Sequence, residues 1–237
     1  MFGCYLLAIV PGIVLIYIVK NKDIDIWEVQ NMSKRFLLGG LFAIVAAIIL
    51  EDFLSECFLI EFASDSIHYR FVDDFIIPAL CEESVKFIIF IMMIKKFFDR
   101  YCFYDDCAHM KVVKYCFYLG MSFAIIENLM YAMDADYVVM IMRMLLCLPG
   151  HGMYAVIMGD FYYKYKESDN AFYLLCALFI PMIQHGIYDF CIGSDSWVII
   201  ILALVNEIYL YKIAYKRICV LGAHSKDEFW AYNSYIS

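Results

Sequence analysis

Two adjacent glutamates and a lysine, Glu82, Glu83 and Lys86, stand in the middle of an apolar run from Phe71 to Ile94. At about 1.5 Å per helical residue such a run is long enough to cross the roughly 30 Å hydrocarbon layer of a bilayer. A charged side chain at the centre of a spanning helix costs about 2.5–3.5 kcal/mol on insertion scales, so it must face a partner or water inside a bundle. The other spans have to supply those partners.

That the chain belongs in a membrane follows from its composition. Of its 237 residues 65% are hydrophobic and 19% charged, whereas soluble domains average about 45–50% apolar. The lipid bilayer is therefore one partner. Nucleic acid is excluded, because no basic patch with interleaved aromatics lies outside the apolar runs. The net charge of −8 decides nothing, since the placement of Lys and Arg matters more than the sum. Of ten cysteines, most fall inside apolar runs, Cys81 and Cys147 among them, and read as small hydrophobes. Cys102 and Cys107, with His109 nearby, fall in a connecting loop and match no zinc spacing.

Seven apolar runs can be laid out in order: 2–19, 36–54, 71–94, 115–133, 137–163, 171–192 and 197–220. The first lacks a basic leader and a small-residue cleavage site, so it reads as a retained span. Fifteen of the eighteen Lys and Arg fall after runs one, three and five or in the C-terminal flank from Lys212 onward. The positive-inside rule then sets the N-terminus outside and the C-terminus in the cytoplasm. The expected fold is all-α: a polytopic membrane helix bundle of about seven spans, one domain over residues 1–237, with its functional core within 71–192. The expected location is the cell membrane, a bacterial cytoplasmic membrane in particular.

Polar groups recur inside four of these runs: Glu82, Glu83 and Lys86; Glu127 and Asn128; Arg143 and His151; His185 and Asp189. Residues four apart share a helix face, so Glu82 can pair with Lys86 and His185 with Asp189. Glu83 projects about 100° from Glu82, which leaves one carboxylate tied to the lysine and the other freer. Pro149-Gly150 should loosen the fifth run beside His151, and Gly150, Gly152, Gly159 and Gly186 should allow close helix approach. Glu51, Asp52, Glu56, Asp73 and Asp74 read as groups that solvate the outer face. Lys86 reads as a charge partner and not a nucleophile.

Such a set suits amide hydrolysis, which needs an activated water, a group to stabilise the oxyanion and a proton donor for the leaving amine. Glu82 or Glu83 would be the base, His151, His185 and Asn128 would polarise the carbonyl, and Asp189 would orient His185. A metal mechanism stays open, with zinc held among Glu83, Glu127, His151 and His185. The absence of H-E-x-x-H favours a glutamate-only mechanism. Intramembrane acids and imidazoles also build proton-coupled transporters, and a non-catalytic scaffold could use them to fix helix register.

In order along the chain, Glu82-Glu83-x-x-Lys86, Phe123-x-x-x-Glu127-Asn128, His151 with Gly159, and His185-x-x-x-Asp189 resemble the motif set of the PrsW intramembrane proteases. These are distant relatives of the CAAX prenyl proteases and bacterial Abi proteins. The resemblance implies a multi-span endopeptidase that cuts membrane-anchored proteins, such as a single-span anti-sigma factor, on the extracytoplasmic side. It also implies Glu82, Glu83, Glu127, Asn128, His151, His185 and Asp189 as the active-site positions.

Overall fold

The computed structural model describes the backbone of residues 2–21, 27–58, 66–101, 108–194 and 196–236. It describes the side chains of these apart from 27–31, 96–101 and 225–236. Among the described residues all regular structure is helical. In order come α1 (Phe2–Lys20), α2 (Trp27–Phe58), α3 (Ile67–Arg70), α4 (Ile77–Tyr101), α5 (Ala108–Tyr131), α6 (Tyr137–Met142), α7 (Leu148–Ser168), α8 (Ala171–Ile192) and α9 (Trp197–Ile236). A π-helical turn, Phe71–Ile76, joins α3 to α4, and a second, Arg143–Cys147, joins α6 to α7.

Among the described residues six stretches are long and apolar enough to cross a bilayer: Phe2–Lys20, Met32–Phe58, Ala108–Tyr131, Tyr137–Ser168, Ala171–Ile192 and Trp197–His224. The stretch missing from the expected seven is α4. Glu82, Glu83 and Lys86 all fall in its apolar part, three charges where an apolar span carries few. It still packs between α2 and α8. Large apolar side chains such as Ile13, Val14, Leu202 and Val205 face outward, an exposed surface that suits lipid and not water.

Helix α5 is the post at the centre. From Ala108 to Ala124 nearly every residue is buried, and α1, α2, α4, α7 and α9 all touch it. Its contact with α7 is set by Gly120, where a Cβ would stand 2.6 Å from Ala155 Cβ and 2.8 Å from the His151 carbonyl. Only hydrogen fits there, and the close approach fixes the height of His151. Gly186 does the same for His185: a Cβ there would lie 2.7 Å from the Phe75 carbonyl, so α8 rests on the first π-turn. At the far end of the bundle, Asp160 Oδ1 lies 2.8 Å from His109 Nε2 and accepts from Arg217 Nε at 2.6 Å, tying α5, α7 and α9.

Both π-turns precede a proline. The Ile77 N–H reaches back to Val72 and the Leu148 N–H to Arg143, five residues each, and Pro78 and Pro149 come next. A proline ring crowds the carbonyl four residues earlier, and a widened turn accommodates it without breaking the helix. The chain is thereby re-aimed just ahead of Glu82-Glu83 and His151. The expected loosening at Pro149-Gly150 takes this form.

Several expectations shift. The fourth span starts at Ala108, not near residue 115, so Lys111 and Lys114 are buried on α5 instead of lying in a loop. Lys114 Nζ donates to the Lys20 carbonyl at 3.2 Å and so caps the end of α1. Glu127 comes four residues before the end of α5. Cys102 and Cys107 lie outside the described residues.

Replacing Gly120 by valine tests this packing. Overpacking typically costs about 1–3 kcal/mol; Gly120→Val is expected to lower the thermal unfolding midpoint in detergent clearly.

Candidate active site

One ammonium gathers polar groups from two helices, α4 and α7. Lys86 Nζ donates to Glu82 Oε2 at 3.0 Å and to Glu83 Oε1 at 2.9 Å, and lies 3.0 Å from His151 Nδ1. An ammonium has three donors and no acceptor, so these contacts use it fully. The Phe123 ring closes the fourth side, 3.8 Å from Nζ to its centroid. Lys86 thus holds both glutamates, which corrects the expectation that only one would be tied. Glu83 is the more committed of the two, because its Oε1 also lies 3.0 Å from His185 Nδ1.

Each histidine is gripped on both nitrogens. With Nδ1 of His151 accepting from Lys86, its Nε2 carries the hydrogen and faces Glu127 Oε2 at 2.8 Å. His185 has carboxylates on both sides, Glu83 at Nδ1 and Asp189 Oδ2 at Nε2, 2.9 Å away. The rings stand nearly perpendicular, with centroids 5.0 Å apart. Arg143, from the second π-turn, donates to Glu127 Oε1 at 2.5 Å and to Asn128 Oδ1 at 2.9 Å. Asn128 Nδ2 is buried with no partner.

All seven expected positions, Glu82, Glu83, Glu127, Asn128, His151, His185 and Asp189, therefore join one network drawn from α4, α5, α7 and α8. Glu82, Glu83, His151 and His185 are each at most 6% exposed. They offer ligand atoms that all lie within 4.8 Å of one another. Carboxylate oxygens and imidazole nitrogens are donors for a divalent ion such as zinc; the Lys86 ammonium lies against three of these four residues, Glu82, Glu83 and His151. Glu127 groups instead with Cys147 and His151. Of the other three residues expected to bind metal, it thus groups with His151 but not with Glu83 or His185.

Five further groups border the site. Arg143, Cys147 and His151 form one stripe at four-residue spacing, and Cys147 Sγ lies 3.5 Å from His151 Nε2. That spacing was readable in the sequence; the chemistry of Cys147 was hidden by its apolar neighbours. Tyr154 stacks on His185 at 5.6 Å and donates to Glu207 Oε1 of α9 at 2.7 Å. Glu207 was a single acid in a long apolar run, with nothing nearby to mark it. Glu51 is half-buried within electrostatic reach of Glu82, Glu127, Lys86 and His185. It therefore does not merely solvate an outer face.

Lys86→Met should leave two adjacent buried carboxylates without a counter-charge. Removing one partner of a buried pair costs about 3–5 kcal/mol, and the variant is expected to unfold far below the parent temperature in the same detergent.

Over residues 29–214 the chain matches the family described as PrsW family intramembrane metalloprotease. It is 31% identical to Protease PrsW of Clostridioides difficile (strain 630), covering 95% of this chain and 94% of the relative. It is 28% identical to Protease PrsW of Oceanobacillus iheyensis, over 87% of this chain and 92% of that one. Against Protease PrsW of Bacillus subtilis (strain 168) it is also 28% identical, over 84% and 87% of the two chains. No solved structure matches it. With the match spanning most of its length and a buried acid–histidine network inside an apolar helix bundle, this chain belongs to the PrsW family of intramembrane proteases.

Proposed function

We propose that the chain hydrolyses peptide bonds of membrane-anchored proteins at the pocket formed by Glu82, Glu83, Glu127, Asn128, His151, His185 and Asp189. The observation that carries this reading is the convergence of four buried ligand-type side chains from α4, α7 and α8 within 4.8 Å. Burying so much polarity in a bilayer is costly without a function.

Glu82 is the general base. Apart from Lys86 its carboxylate makes only a 3.8 Å approach to His151 Nδ1, whereas Glu83 is held by Lys86 and His185 together. Glu82 takes a proton from water as the water oxygen bonds to the scissile carbonyl carbon. Asn128 Nδ2, the buried donor with nothing to donate to, faces the oxygen that turns negative. As the C–N bond breaks, His185 gives a proton to the departing amine, and Asp189 holds the ring for that transfer. Glu83 and Lys86 keep base and histidines in register. Glu127 fixes His151 in the form whose Nδ1 accepts.

Glu82, Glu83, His151 and His185 would hold a divalent ion, which when bound polarises the carbonyl and acidifies water. Zinc suits this donor set.

The substrate proposed is a single-span protein of the anti-sigma-factor type, and the membrane a bacterial cytoplasmic one. The Lys and Arg distribution puts the N-terminus outside. With that orientation Glu127, His185 and Asp189 lie toward the outer ends of α5 and α8, so the cut falls in the outer leaflet.

Glu82→Gln, Glu83→Gln and His185→Ala, each reconstituted with an epitope-tagged single-span protein, are expected to lower cleavage at least a hundredfold. Glu82 and His185 act in the transition state, where such groups contribute about 10²–10⁴-fold, and Glu83 holds both in place. Unimpaired cleavage in both glutamine variants would overturn the proposal. Metal analysis of the purified protein, with cleavage followed after 1,10-phenanthroline and after zinc is restored, decides whether an ion takes part.

A further inference from the structure

Two buried side-chain atoms at this site lack any partner, and they are of opposite kinds. Asn128 Nδ2 is a donor, and Glu207 Oε2 is an acceptor. Glu207 is 1% exposed, on α9, outside the seven positions considered above. Its other oxygen is fixed, because Tyr154 donates to Oε1 at 2.7 Å. Tyr211, one turn further along α9, lies beside the same carboxylate, but its hydroxyl hydrogen is given to the Leu146 carbonyl. Oε2 is thus an aimed lone pair with nothing to accept.

Beside that oxygen the backbone leaves room. Gly150, next to His151, is the glycine whose expected role in close helix packing is not met. The atoms nearest to a Cβ there would be Glu207 Oε2, Tyr154 Cζ and Tyr154 Oη, each at 3.6 Å. A methyl group would fit without strain and would cover the oxygen. Gly150 therefore keeps open a small space walled by Glu207 and Tyr154, whose ring stacks on His185.

An unpaired buried acceptor is expensive, so the site is built for a donor that arrives from outside. A segment drawn from a membrane span carries mostly apolar side chains. Once its helix is unwound, its free donors are its own backbone N–H groups, which lose their intrahelical carbonyls and have no water to turn to. We propose that Glu207 Oε2 accepts a backbone N–H from the unwound segment of the substrate, through the space at Gly150. Glu207 is then a substrate-binding residue of α9, oriented by Tyr154. This rests on the active-site reading above.

The test compares Glu207→Gln and Gly150→Ala with the parent enzyme in liposomes, using the same epitope-tagged single-span protein and Glu82→Gln as the control. Glutamine keeps an oxygen for Tyr154 and turns an N–H₂ toward the substrate, donor against donor. Gly150→Ala covers the oxygen while leaving every existing hydrogen bond in place, and alanine is the better helix former. Both variants are expected to raise KM about tenfold, as loss of one buried hydrogen bond does, with kcat within about twofold. The melting temperature of Gly150→Ala should not fall. Wild-type KM in both variants, with Glu82→Gln inactive, overturns this inference and leaves the active-site reading standing. A fall in kcat and melting temperature for Glu207→Gln, with Gly150→Ala unchanged, makes Glu207 a merely structural brace and also overturns it. If Glu207→Gln does not fold, KM in Gly150→Ala decides alone.

Discussion

The contact on which everything else depends is the seat of the Lys86 ammonium between Glu82, Glu83 and His151. At about 3 Å, and with an effective dielectric of about 20, each lysine–glutamate attraction is of order 5 kcal/mol gross. Taking one ion out of water costs several kcal/mol after relaxation. A single pair would roughly break even. The three-way seat, extended through His185 to Asp189 and through His151 to Glu127 and Arg143, satisfies nearly every lone pair and proton. That completeness lets α4 lie in the bundle although its composition argues against a bilayer.

Such a network needs its helices at fixed heights, and α5 supplies the reference. Gly120 lets α7 come close enough for His151 to reach Lys86, and Gly186 sets His185 against the first π-turn. The two π-turns then aim the charged parts of α4 and α7 inward. At the opposite end Asp160 binds His109, Arg217 and Lys164, which anchors α9 to the same post. Packing and site geometry are therefore hard to separate here: the small residues that permit close helix contact also determine the distances between the buried acids and histidines.

Much of this was legible in the chain itself. Charges in an apolar run demand partners, and the four-residue spacing of His185 and Asp189 gives a pair on one face. Those rules identify the helices and the seven site positions. They fail where three-dimensional neighbours decide. Angular separation on α4 suggests that Lys86 serves one glutamate, yet a flexible four-carbon stem reaches residues at both three and four positions before it. Glu51 looks like surface solvation because it nears a span end, but its helix turns it toward the site. Glu207 carries no local signal at all. Its meaning comes from Tyr154, 53 residues away in sequence.

Peptide hydrolysis inside a bilayer faces a difficulty that the chemistry of the water molecule does not solve. A substrate helix has every backbone group bonded to itself, and each one freed in hydrocarbon costs several kcal/mol. The scissile bond cannot meet a base until some of these bonds are open. An enzyme that receives the freed groups lowers that barrier where the cut is made, and an orphan donor on α5 and an orphan acceptor on α9 are suited to one carbonyl and one N–H. Neither atom reads a side chain. On the proposed mechanism, selection among membrane proteins then falls on how easily a segment unwinds. Glycine, proline or a polar residue near the cut should matter more than the identity of any one side chain.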